Sequence, residues 1–169
     1  MLITFGQRWG WWPGIVGSAF FVWANVQQQL YFDAVLNSYY VVAGVYGWFT
    51  WSSNKETGTV IALGIQSTLK LFFTTSIVSL VLGSIMMLWT HSYWSLLDAW
   101  VTLLSFLATA MAARKMLENW LIWIIADTAA AVLYANKGGT FYGILFALYT
   151  IIAIWAYSLW KKQKISSEK

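Results

Sequence analysis

The sequence predicts an all-α fold, a polytopic bundle of membrane-spanning helices. Two observations carry that reading. The chain is 60% hydrophobic and only 9% charged, with a mean hydropathy of +0.63. A soluble domain carries about 25% charged residues, so this chain could not clothe a surface in water. Its apolar residues also gather into six stretches, each near the roughly 17–25 residues that a helix needs to cross a bilayer. A third observation points to function. The stretch Met116–Tyr134 is apolar enough to span, yet it holds Asp127 near its middle. A carboxylate there costs roughly 2.5–3.5 kcal/mol on insertion scales, so it is expected to face a cavity or a partner.

The same composition excludes much. With no cysteine, there are no disulfides, thiolate nucleophiles or iron–sulfur sites, and one histidine, His91, cannot build a histidine-rich metal centre. No cofactor or metal is expected, and no enzymatic activity. The net charge of +4 sits mostly at helix ends and in the tail, which reads as membrane topology rather than nucleic-acid binding. Met1 to Arg8 runs straight into tryptophans without the layout of a cleavable signal. A single integral membrane domain over 1–169 follows, with the lipid bilayer as its first partner.

The spans are placed near 10–27, 33–52, 70–89, 94–112, 118–135 and 140–160. The first opens with Trp9-Gly-Trp-Trp-Pro-Gly, where Pro13 is tolerated because first-turn N–H groups lack partners anyway. Asp33 stands early in the second span, where a carboxylate suits the positive helix end. Asp33, Asn37, Tyr40, Gly44, Gly47, Trp48 and Trp51 follow at steps of three or four and share one face. Glycines on such a face allow close helix approach. Ser52 to Gly58 is a polar loop with Lys55 and Glu56, and Thr59 to Lys70 is either a short interfacial helix or an extension of the next span. Leu71 to Trp89 is the least decorated stretch and reads as structural.

His91 and Tyr93-Trp94 form a tight outer turn, and Asp98 sits one turn into the fourth span. Arg114-Lys115 close that span, Lys137-Gly-Gly makes a short turn, and Lys161, Lys162 and Lys164 open the basic tail of 161–169. On the fifth span Met116, Asn119, Trp120, Trp123, Asp127 and Tyr134 form an aromatic stripe with an acid in it. Counting basic residues orients the bundle. The side holding both termini has Arg8, Lys55, Arg114, Lys115 and the tail, while the other has only Lys137. The positive-inside rule puts the C-terminus in the cytoplasm.

Sliding the chain on itself by 109 residues aligns two helix pairs without gaps. Trp11 meets Trp120, Tyr40 meets Tyr149 and Trp51 meets Trp160, while Gly44 and Gly47 meet Ala153 and Ala156. A two-residue gap would instead superpose Trp9 and Trp12 on Trp120 and Trp123. The pairs run in the same direction, as parallel repeats about an axis along the membrane normal do. Repeat one is read as 1–52, a linker region as 53–89 and repeat two as 94–160. The span at 94–112 has no counterpart before the first pair, so the first helix of repeat one is read as missing.

The run Gly10-Trp-Trp-Pro-Gly-Ile-Val-Gly, then Tyr31-Phe-Asp-Ala-x-Leu-Asn-x-Tyr-Tyr and Gly44-Val-Tyr-Gly-Trp-x-x-Trp51, resembles the PnuC family of vitamin transporters. So do Ala113-Arg-Lys-x-x-Glu-Asn-Trp-x-x-Trp-x-x-x-Asp127 and Leu145-Phe-x-x-Tyr149. The resemblance implies three-helix repeats joined by a linker helix, related to the SWEET fold, and assembly as a homotrimer. It implies facilitated diffusion of nicotinamide riboside, trapped inside by phosphorylation, in the cytoplasmic membrane of a bacterium. It also implies that Trp120 and Trp123, the Trp-x-x-Trp motif, help to line the solute site. Against the family's pattern, the first span is expected to be missing from this sequence.

The candidate solute-binding residues are Asn37, Tyr40, Asn119, Trp120, Trp123, Asp127 and Tyr149, the polar and aromatic positions on matching faces. Tryptophan faces attract a flat pyridinium cation by about 0.5–2 kcal/mol, Asp127 would accept ribose hydroxyls, and the asparagines would pair with a carboxamide. The bland alternatives are interfacial aromatics for the tryptophans and a structural hydrogen-bonded acid for Asp127. Thiamine, riboflavin and deoxynucleosides stand as alternative solutes. So does a vitamin-binding subunit of an ATP-driven complex, which would show a docking surface, often of small residues on its first helix. Asp33, Asp98 and Asp127 occur singly along the spans, without a second acid at helix spacing to hold a coupling cation, so transport is expected to be passive.

Overall fold

The computed structural model describes residues 3–29, 31–52 and 60–167. The loop reading for Ser53 to Gly58, with Lys55 and Glu56, lies outside the described residues, as do the last two residues of the tail. Six helices follow one another: α1 (Trp11–Gln27), α2 (Tyr31–Ser52), α3 (Ile65–Thr90), α4 (Trp94–Ala113), α5 (Asn119–Asn136) and α6 (Thr140–Ser167). A 3-10 turn, Arg8–Gly10, leads into α1, and Pro13 is the third residue of that helix. Each apolar stretch becomes one helix, with ends that move by a few residues except at α3 and α6, which run on towards the basic end.

Three helices, α3, α4 and α6, are long and apolar enough to cross a membrane on their own. The others fall short for identifiable reasons. The first, α1, has 17 residues, and α2 and α5 carry the asparagine, tyrosine and aspartate stripes. They lie along their longer neighbours, α1 on α2 and α5 on both α4 and α6, while α4 also meets α3 and α2. The outer faces are apolar, with Phe20, Val42, Ile77, Leu88 and Ile151 all well exposed, as a lipid-facing surface requires.

Two places show why the chain packs as it does. On α2 a Cβ at Gly47 would stand 2.5 Å from the Trp11 ring, and one at Gly44 would stand 2.7 Å from Ile15. Those glycines let α1 and α2 touch. Between α3 and α4 the contact reaches the backbone itself, since a Cβ at Gly83 would meet the Leu96 Cα at 2.9 Å. On the same seam the Trp100 indole donates to the Ser76 hydroxyl at 2.9 Å.

Residues 60–64 decide the ambiguous stretch. They are extended, not helical, and Ile61 pairs with the α4–α5 turn: its N–H donates to the Lys115 carbonyl at 3.0 Å and its carbonyl accepts from Leu117 N–H at 2.8 Å. The buried Glu118 carboxylate accepts from the N–H groups of Leu63 at 2.9 Å and Gly64 at 3.1 Å. Gly64 has φ +86°, which ends the extended run and starts α3. A carboxylate from the foot of α5 thus holds the positive end of α3. In the same turn Lys115, at φ +54°, lays its ammonium 4.8 Å from the Trp51 ring, and burial lowers its pKa from the usual lysine value.

Candidate functional site

A cavity of about 560 Å³ opens inside the bundle, walled by α2, α4, α5 and α6 and floored by α1 and the N-terminal segment. It falls in the size range of small-molecule sites, about 300–1,000 Å³. From α5 come Trp120, Trp123 and Asp127, from α2 Tyr40, and from α6 Tyr149. From α4 come Asp98, Thr102, Ser105 and Thr109, at steps of four, three and four, which is one face of a helix. At 1.5 Å per residue, Asp127 stands about 12 Å above the foot of α5 and Asp98 about 22 Å above the foot of α4. Asp127 and Ser105 therefore share a level in the middle of the bundle, and Asp98 lies nearer the far end.

Asp127 is 5% exposed, and among the described residues no donor hydrogen-bonds to it. Tyr40 is its electrostatic neighbour and lines the cavity together with Ser105. Tyr39, one place earlier on α2, donates to the Phe106 carbonyl of α4 at 2.8 Å, which fixes the face that Tyr40 presents. Asp98 and Asp127 are the charged residues of the lining, and no lysine or arginine among the described residues joins them. The two acids that stand alone in the sequence therefore open on one cavity. They remain single at helix spacing along their spans, and they open on one cavity at different levels because the antiparallel α4 and α5 adjoin.

Beneath the cavity four tryptophans form a cluster whose members match under the 109-residue offset. Trp11 meets Trp51 edge-on at 5.5 Å and 83°, and Trp120 meets Trp160 edge-on at 5.4 Å and 88°. Trp51 and Trp160 touch across the middle at 5.8 Å. The Trp51 indole donates to the Ala113 carbonyl at 3.1 Å, and the Trp160 indole donates to the Thr4 carbonyl at 2.9 Å. Thr4 and Ala113 are themselves 109 residues apart. The remaining two indoles, Trp11 and Trp120, are buried without an acceptor. Trp9 and Trp12, which the gapped alignment would have matched, instead pack on Trp48.

The family profile described as "Nicotinamide mononucleotide transporter" matches residues 1–162. The chain belongs to that family. It is 21% identical to the nicotinamide riboside transporter PnuC of Escherichia coli strain K12, over 87% of this chain and 73% of that protein. The PnuC of Shigella flexneri gives the same figures. A crystal structure of the vitamin B3 transporter PnuC superposes with a TM-score of 0.70 at 21% identity, covering 97% of this chain and 76% of that one. The fold is thus that of the nicotinamide mononucleotide transporter family, and the resemblance read from the motifs holds.

In this family member the structure brings together five of the seven expected residues, Tyr40, Trp120, Trp123, Asp127 and Tyr149, around one cavity. Asn119 is elsewhere. It opens α5 with no exposed surface, and its amide nitrogen is spent on the Met116 carbonyl of the tight turn at 2.6 Å. Asn37 lies one turn from Tyr40, makes its own interaction within the protein and is not part of the lining. The sequence reading missed Asp98, Thr102, Ser105 and Thr109. Their helical spacing was available, but three of the four are small hydroxyl residues that spans also use to bond their own carbonyls, as Ser105 and Thr109 do here.

Proposed function

We propose that this integral membrane protein carries nicotinamide riboside inward by facilitated diffusion, with phosphorylation inside trapping the solute. The observation that carries the proposal is the charge of the cavity: two carboxylates among aromatic walls, and no basic side chain among the described lining residues. Nicotinamide riboside is a flat pyridinium cation with a carboxamide and ribose hydroxyls. Indole and phenol faces attract such a ring, and Asp127 offers an acceptor for hydroxyls or a counter-charge. The mononucleotide of the family's description adds a phosphate, which would meet two acids with no lysine or arginine to answer it, and like-charge contacts are costly. Riboflavin and deoxynucleosides lack the positive charge; thiamine has it, and competition between the two vitamins separates them.

Within the proposal Tyr40, Trp120, Trp123 and Tyr149 sandwich the ring and sugar, while Asn119 fixes the turn that opens α5. We read the two hairpins, α1–α2 and α5–α6, as parallel repeats about an axis through the tryptophan cluster, supported by the paired contacts at Ala113 and Thr4. The end bearing Arg8, Arg114, Lys115 and the lysine tail faces the cytoplasm, and the membrane is the cytoplasmic one of a bacterium. The lining offers no nucleophile paired with a base, which favours a carrier over an enzyme. Assembly as a homotrimer follows from the resemblance to PnuC, and cross-linking in native membranes tests it. For the function, proteoliposomes holding a riboside kinase and ATP should accumulate labelled nicotinamide riboside with neither a sodium nor a pH gradient. Uptake that stops when either gradient is collapsed would overturn the passive mechanism, and no uptake at all would overturn the solute.

A further inference from the structure

We infer that Asp98 is a specificity-determining residue, a second carboxylate on the solute path that selects for positive charge before the solute reaches Asp127. The inference rests on the proposed function and adds a residue and a physical role to it. Three observations support it. Asp98 and Asp127 line the same cavity, and no basic residue described there offsets them. Asp127 is nine-tenths buried without a donor among the described residues, so the cavity holds an acid that a solute can answer. The hydroxyls of Thr102, Ser105 and Thr109 continue the face of α4 inward from Asp98, so the outer acid stands at the head of a polar track that passes the level of Asp127.

The physics sets what each acid does. Asp98 is half-buried and lies towards the end of the bundle away from the basic tail, where water screens it incompletely. Two charges about 10 Å apart at an effective dielectric near 20 still interact by enough to change occupancy several-fold. A carboxylate at that position raises the local concentration of a cation and leaves an uncharged solute indifferent. It makes no demand on shape, since threonine and serine rather than bulky residues follow it.

The test compares nicotinamide riboside with its reduced dihydro form, nearly the same in shape but without the ring charge, in proteoliposomes of the full chain. Asp98→Asn should raise the KM for the cation by about three- to tenfold with little change in maximal rate, and leave the reduced form unchanged. The wild-type preference should shrink as ionic strength rises and the Debye length falls, and the variant's should not. Asp98→Glu should keep the preference, and Asp98→Ser supplies a second uncharged variant should Asp98→Asn not fold. An uncharged variant that affects both forms alike, or neither, overturns the inference while wild-type transport stands. Wild-type vesicles that move neither form overturn the proposed function and the inference with it.

Discussion

A carboxyl side chain 5% exposed in the middle of a membrane bundle needs a partner, and for Asp127 no donor among the described residues provides one. Two outcomes separate a structural acid from a functional one. Removing a structural acid orphans the donor it satisfied, at about 1–3 kcal/mol. Removing Asp127 orphans nothing in the described structure, so Asp127→Asn should leave thermal stability unchanged or raised, and weaken nicotinamide riboside binding by about tenfold or more, roughly 1.4 kcal/mol. Titration and melting on one preparation check this; normal affinity with an early melt would show a structural acid. At this scale the sequence was informative where spacing and chemistry agreed. Trp120, Trp123 and Asp127 stand at helical steps in an apolar run and reach the cavity together. Asn119 shares their stripe and does not, because it is the first residue of α5, and the turn that precedes it claims its amide.

Glu118, just ahead of α5, ties down the segment that leads into α3, and that makes the contact testable. Glu118 accepts two backbone N–H bonds at the start of α3. Hydrogen bonds to a charged group contribute about 1.5–3 kcal/mol each, so Glu118→Ala should cost about 3–6 kcal/mol in a denaturant or thermal unfolding assay. Hydrogen exchange should accelerate first at residues 61–68, where the carboxylate holds the backbone. The α1–α2 contact gives a second case. A methyl at Gly47 would sit 2.5 Å from the Trp11 ring, and the ring also floors the cavity. Gly47→Ala should therefore destabilise by about 1–3 kcal/mol and lower solute affinity, measured together by melting and titration. Helix positions were legible because apolar runs of span length have few other uses in a chain this poor in charge. The extended run 60–64 was not legible, since five residues carry no periodicity and their pairing partner lies at 115–117.

Across the whole molecule the decisive relation is between residues far apart in sequence. The 109-residue offset needs only the letters, because tryptophans and small residues recur at matching positions. What the letters do not contain is the exchange: Trp51 of the first hairpin bonds Ala113, just before the second, and Trp160 of the second bonds Thr4, just before the first. An exchange of that kind is what a two-fold axis requires, where residue i of one half meets residue j of the other and the converse. The shared cavity of Asp98 and Asp127 was illegible for the same reason, since it depends on which helices become neighbours. The proposed symmetry carries a quantitative expectation. Phenylalanine removes the indole N–H together with part of the bicyclic ring, so beyond a cavity cost common to both sites each substitution leaves one buried carbonyl short of a donor, at about 1–3 kcal/mol. Trp51→Phe and Trp160→Phe should then cost similar amounts, within about 0.5 kcal/mol of each other. The two indoles share an edge of the cluster at 5.8 Å, so the double variant should depart from additivity, as contacting residues do. Trp11→Phe and Trp120→Phe should cost less than that pair, because their indole N–H groups are buried without acceptors and deleting an unsatisfied donor offsets part of the cavity cost. Thermal unfolding of the four single variants and the Trp51/Trp160 double variant measures all of this. Strongly unequal costs at Trp51 and Trp160 would mean that the hairpins are alike in sequence without bearing load alike, and the axis through the tryptophan cluster would have to be abandoned.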